Sequence, residues 1–109
     1  MKFALATVLL TAAITVPEIK SRPDETFIIT FEPGAVGACT VFTQISGEGR
    51  PYEPRSCWWF GEQTISSYTD DWDLIRREDA EWDVYAEIEY IDKTGKPETV
   101  ETNHVKVHR

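Results

Sequence analysis

Glu81-Trp82-Asp83-Val84-Tyr85-Ala86-Glu87-Ile88-Glu89-Tyr90-Ile91 is the stretch on which the fold turns. Trp82, Val84, Ala86, Ile88 and Tyr90 fall on one side of an extended chain, and Asp83, Tyr85, Glu87 and Glu89 fall on the other. Successive side chains of a strand point to opposite faces, so this order separates an apolar face from a charged one. A helix would spread the same carboxylates around its circumference. Asp92-Lys93-Thr94-Gly95 follows as a tight hairpin turn, with Gly95 suited to a positive φ, and Val100 to Val107 returns with Val105 and Val107 in phase.

Upstream the same period recurs in shorter pieces. Thr26 to Glu32 carries Phe27, Ile29 and Phe31 on one face and stops at Pro33-Gly34. Ala38 to Ile45 places Cys39, Val41, Thr43 and Ile45 in phase and Phe42 opposite them. Gly47-Glu48-Gly49-Arg50-Pro51 reads as a loop, Ser56 to Phe60 as a third strand, and Thr64 to Tyr68 as a short fourth. Asp70 to Asp79 fits two readings: a strand that alternates Trp72 and Leu74, or one helical turn carrying Trp72 and Ile75. About seven short strands with turn residues between them predict an all-β chain folded as a two-sheet antiparallel sandwich.

From Leu74 through Trp82-x-Val84-x-Ala86-x-Ile88 to Asn103-x-Val105-x-Val107 the chain resembles the last strands of fibronectin type III and related immunoglobulin-like domains. The resemblance is one of alternation over about a third of the chain. It implies a fold and brings no functional residue with it.

The N-terminus has a different character. Met1-Lys2 precedes an apolar run from Phe3 to Val16, which is the charged and hydrophobic pattern of a secretory leader. The run is shorter than the roughly 20 residues needed to cross a bilayer. The expected leader is residues 1–21, ending at Ile19-Lys20-Ser21, with Thr11-Ala12-Ala13 as the alternative cut. A single domain from residue 22 to residue 109 follows, and its localisation is secreted and extracellular. A core this small in an oxidising compartment calls for a covalent brace. Cys39 and Cys57 are the only cysteines and pair in one way. Two geometries fit: a staple between the two sheets, which the long loop before Pro54 favours, or a rung between adjacent strands turning about Glu48.

The formal charge of the chain is −8. Removing residues 1–21 takes away two lysines and one glutamate, which lowers it to −9. Such a surface repels phosphate backbones and anionic lipid heads, so nucleic acid and membranes are not expected partners.

No catalytic constellation emerges from the sequence. His104 and His108 on one strand would stand about 13 Å apart, too far for shared metal ligation. Ser66 and Ser67 lack the glycines of a nucleophile elbow. Asp70, Asp71, Asp73, Glu78, Asp79 and Glu81 are clustered acids without the spacing of a calcium loop. The expectation is therefore no enzyme, no metal and no cofactor. The sole asparagine, Asn103, begins no glycosylation sequon.

The aromatic residues carry the functional expectation. Trp58 and Trp59 are adjacent, so on a strand one turns inward beside the disulfide and the other outward, while Tyr85 stands on the charged face. Exposed flat rings build hot spots in protein interfaces and also stack on sugars. Trp58, Trp59 and Tyr85 are the expected binding residues. A short acidic exported domain with one disulfide resembles the small secreted proteins of filamentous fungi, effector candidates included. That likeness implies a non-enzymatic protein that binds a host or competitor protein; a small carbohydrate-binding module is the alternative.

Overall fold

The computed structural model describes residues 16–24, 26–47, 53–71 and 79–108. Their strands are β1 (Glu18–Ser21), β2 (Thr26–Thr30), β3 (Gly37–Ser46), β4 (Arg55–Trp59), β5 (Ser67–Asp71), β6 (Glu81–Ile91), β7 (Pro97–Glu101) and β8 (Val105–His108). The chain is all-β, with two antiparallel sheets and one disulfide. One sheet has the order β1-β2-β5; the other has the order β4-β3-β6-β7, with β8 also paired to β6. Most of the ambiguous stretch after Asp71, Trp72 included, lies outside the described residues, as do the loop residues 48–52 and all of the apolar run before Val16.

The central strand behaves as its alternation predicts. Trp82, Val84, Ala86 and Ile88 are fully buried. They pack with Phe27 and Ile29 from the smaller sheet, with Phe31 just beyond β2, and with Ala38 and Phe42 from β3. The Phe42 side of β3 is thus its core side. Val41, on the opposite side, is also fully buried, in register with Arg55 on one neighbour and Tyr85 on the other.

Two tyrosines tie the sheets together through their hydroxyls. Tyr68 of β5 shares a 2.8 Å hydrogen bond with the Thr40 hydroxyl of β3, which is fully buried. Burial holds the Tyr68 phenol well above its ordinary pKa, which keeps it a neutral partner. Tyr90 donates a 2.8 Å bond to the Glu32 carbonyl. A polar group buried without a partner costs free energy, so these bonds make the inter-sheet contact specific as well as apolar.

The turn after β6 forms as expected. Gly95 has φ 88°, and the Asp92 carboxylate accepts bonds from the Thr94 and Lys96 amides at 2.8 and 3.0 Å. A 2.7 Å bond from the Thr94 hydroxyl, with these amides behind it, draws the Asp92 carboxyl below the usual range.

The structure departs from the sequence reading of the fold in three places, and it adds a strand ahead of Thr26. Residues 18–21, expected to end the leader, form β1 and pair with β2 from Glu18↔Thr30 to Ser21↔Phe27. Ile19 is fully buried, and the Asn103 side chain holds its backbone on the other edge. The Ile19 amide donates to Asn103 Oδ1 at 2.9 Å, and Asn103 Nδ2 donates to the Ile19 carbonyl at 3.1 Å. A carboxamide has the same donor and acceptor pair as a peptide group, so Asn103 acts here as a one-residue strand.

The fourth expected strand is displaced from Thr64–Tyr68 to Ser67–Asp71. The return from the hairpin is two strands, broken at Thr102 to His104, both on the same edge of β6. The disulfide is a rung within one sheet, with Cys39 and Cys57 paired in register on β3 and β4 at a Cα separation of 4.0 Å. The inter-sheet staple is therefore overturned. A staple needs both cysteines on the core face, and Cys39 shares the outward face of β3 with Val41.

Candidate functional site

The register defines the outer face of the larger sheet as cross-strand rows. The first is Trp59 (β4), Gly37 (β3), Glu89 (β6) and Thr99 (β7). The second is Cys57, Cys39, Glu87 and Glu101; the third is Arg55, Val41 and Tyr85. Residues opposite one another in such rows are the neighbours that interact.

β4 is an edge strand. Phe60 donates to the Val36 carbonyl and Phe42 to the Pro54 carbonyl. Antiparallel pairs alternate between hydrogen-bonded and non-hydrogen-bonded, so the intervening Cys39–Cys57 pair is non-hydrogen-bonded, the kind that brings side chains closest. The backbone groups of Arg55, Cys57 and Trp59 accordingly face the open side of the sheet.

Both tryptophans are exposed. Trp59, on the outer face, is 72% exposed; Trp58, on the core-facing side, is 50% exposed. Neither fills the core beside the disulfide, contrary to the expectation for one of them. The cause is position. Three strands at a spacing of about 4.8 Å cannot cover a sheet four strand positions wide, so the core-facing side of an edge strand stays partly open. Phe60, the next residue, is the one that turns in, stacking on Phe31 at 5.7 Å.

Tyr85 shares the outer face with Trp59, separated from it by the disulfide row. It is not a free ring: His104 stacks on it at 4.2 Å with an interplanar angle of 14°. His104 is gripped at both nitrogens, Nδ1 by Asp83 at 2.6 Å and Nε2 by Glu101 at 2.9 Å. Hydrogen bonds to Glu101 and Asp83 raise its pKa above the ordinary value, while partial burial beside Glu87 and Glu101 raises that of Tyr85. Arg55 reaches diagonally to Glu87, with Nη1 2.5 Å from Oε1, and this pairing raises the guanidinium pKa.

Gly37 leaves a gap in the first row. A Cβ placed there would lie 2.9 Å from the Trp58 carbonyl oxygen and 3.3 Å from Trp59 Cε3, so the strand crosses closely beneath the indole because it has no side chain. Around that gap lies a recess of about 330 Å³, walled by Trp59, floored by Gly37 and the disulfide, and bounded by Glu87, Glu89 and Thr99.

Trp59 was legible in the sequence as an aromatic excess. Gly37, Glu89 and Thr99 were not, because only the register joins them. Glycine before the strand pattern Ala38 to Ile45 was the one available signal, since a glycine at a strand marks close approach of another group. No family model matches the chain, and no curated protein and no solved structure is significantly similar to it.

Proposed function

We propose that this chain is a secreted, non-enzymatic binding domain of the effector-like class, which takes hold of a host or competitor protein through the Trp59 side of β4. One observation carries the reading: two consecutive tryptophans, 50% and 72% exposed, stand on opposite faces of an edge strand that a disulfide braces. Large rigid rings on a fixed backbone give contact area at little cost in conformational entropy, which is why tryptophan dominates interface hot spots. The open backbone groups of Arg55, Cys57 and Trp59 add donors and acceptors to the same edge. Tyr85 belongs to the face as a packed support beneath His104. That histidine is engaged at both nitrogens, which suits a structural post rather than a general base.

The strand order supports a fibronectin type III-like assignment. The immunoglobulin order pairs its fourth strand with the fifth, whereas here β4 lies beside β3. For export, β1 favours the cut after Ala13 over the cut after Ser21, because the shorter leader leaves β1 in the mature domain.

Capture from a host or competitor extract, quantified for the wild type, Trp59→Ala and Trp58→Ala, tests the binding reading. A hot-spot tryptophan is worth about 2 kcal/mol or more, roughly thirtyfold in affinity, so Trp59→Ala is expected to abolish capture with the far-UV spectrum unchanged. Undiminished capture by both variants would overturn the reading. Binding of soluble oligosaccharides at millimolar concentration, with no protein captured, would favour the carbohydrate module instead.

A further inference from the structure

On the reading of the Trp59 side as a protein-binding surface, we propose that the recess over Gly37 receives an arginine side chain of the partner, its guanidinium on the Trp59 indole and its charge toward Glu89.

The first row of the outer face is built for such a group. It has an aromatic at one position, no side chain at the next, and a carboxylate at the third. The bare backbone at Gly37 lets the indole lie low against the sheet, and the recess beside it is of a size for one side chain. An indole and a carboxylate on two sides of a gap match a flat cation, which gains from the ring face and from the charge together. A guanidinium fits that pairing better than an ammonium, because it is planar, stacks on aromatic rings and is less strongly hydrated.

The neighbouring rows show the same chemistry satisfied internally. There Glu87 holds the chain's own guanidinium, Arg55. In the first row the β4 position is Trp59 instead, and among the described residues no cation pairs with Glu89. The missing cation is the one the partner supplies. The net charge of −8 draws basic partners to the whole surface, and the recess selects where the side chain seats.

The test uses N-acetyl-arginine amide and its neutral isostere, N-acetyl-citrulline amide, titrated into the folded ¹⁵N-labelled protein. The arginine derivative is expected to shift the Gly37 amide and the Trp59 indole N–H saturably, at millimolar concentration. Citrulline and the Glu89→Gln variant should each bind at least fivefold more weakly. Glu18→Gln, a carboxylate removed from β1, should bind as the wild type does. Equal shifts by citrulline, an unaffected Glu89→Gln, shifts spread over the acidic surface, or no shift at 100 mM would each overturn the inference. Failure here, with partner capture still lost in Trp59→Ala, removes the arginine and leaves the protein-binding surface. Full capture by Trp59→Ala removes the surface itself.

Discussion

A chain that begins at Arg22 is expected to melt about 20 °C below one that begins at Ile14, or not to fold cooperatively at all. The shorter chain lacks β1, and with it the Ile19 side chain, which is fully buried against the core. Emptying a site of that size costs about 2–5 kcal/mol where the surroundings cannot collapse. The loss does not stop there. The Asn103 carboxamide loses both partners, the Ile19 amide and carbonyl, and β2 becomes an unpaired edge along Phe27 to Thr30. Small domains have only about 5–10 kcal/mol in total, and each kcal/mol moves the melting temperature of a domain this size by about 4–8 °C. Thermal unfolding of the two purified chains, followed by circular dichroism, checks this. Equal melting temperatures would show β1 to be dispensable and would favour the cut after Ser21.

Replacing both cysteines with serine is expected to destabilise the domain by about 3 kcal/mol, the chain-entropy value for a loop closed over a separation of 18 residues. The effect should also be uneven. β3 is held on its other side by a long pairing with β6, from Gly37↔Glu89 to Ser46↔Glu81, so it stays in the sheet. β4 pairs with β3 alone, over five residues, and Cys57, Trp58 and Trp59 are all exposed. Without the rung it is the first strand to peel away. Hydrogen exchange in the double variant should therefore accelerate at the Ser56 and Trp58 amides, which face β3, well before it does within β6. Uniform acceleration across the sheet would show the bridge to be a global brace with no special hold on β4.

How much of this was legible follows from how much local information each segment carries. β6 is eleven residues of strict alternation, long enough for its period to be read without help. β1 is four residues with a single buried side chain, and beside an apolar leader a lone Ile19 has no period to show. β3 carries apolar residues on both faces, so its alternation could not say which face was the core. Val41 on the outward side is buried as well, and its flanking positions, Arg55 and Tyr85, come from other strands.

The tryptophan pair illustrates the same limit. Alternation correctly sends Trp58 and Trp59 to opposite faces. Whether a face is covered depends on strand order, and an edge position is a property of the assembled sheet. The recess depends on it further still, since Gly37, Trp59 and Glu89 meet through two separate pairings. Asn103, noted in the sequence only as beginning no glycosylation sequon, serves instead as the clasp on β1.

Trp58 and Trp59 both stand in solvent on the folded domain, while Trp82 is sealed in the core. The most direct measurement is the line broadening of the indole N–H signals by a soluble paramagnetic agent. Strong broadening is expected at Trp58 and Trp59 and almost none at Trp82. Protection of Trp59 to the level of Trp82 would contradict it, because a covered indole there leaves neither a binding edge nor a recess.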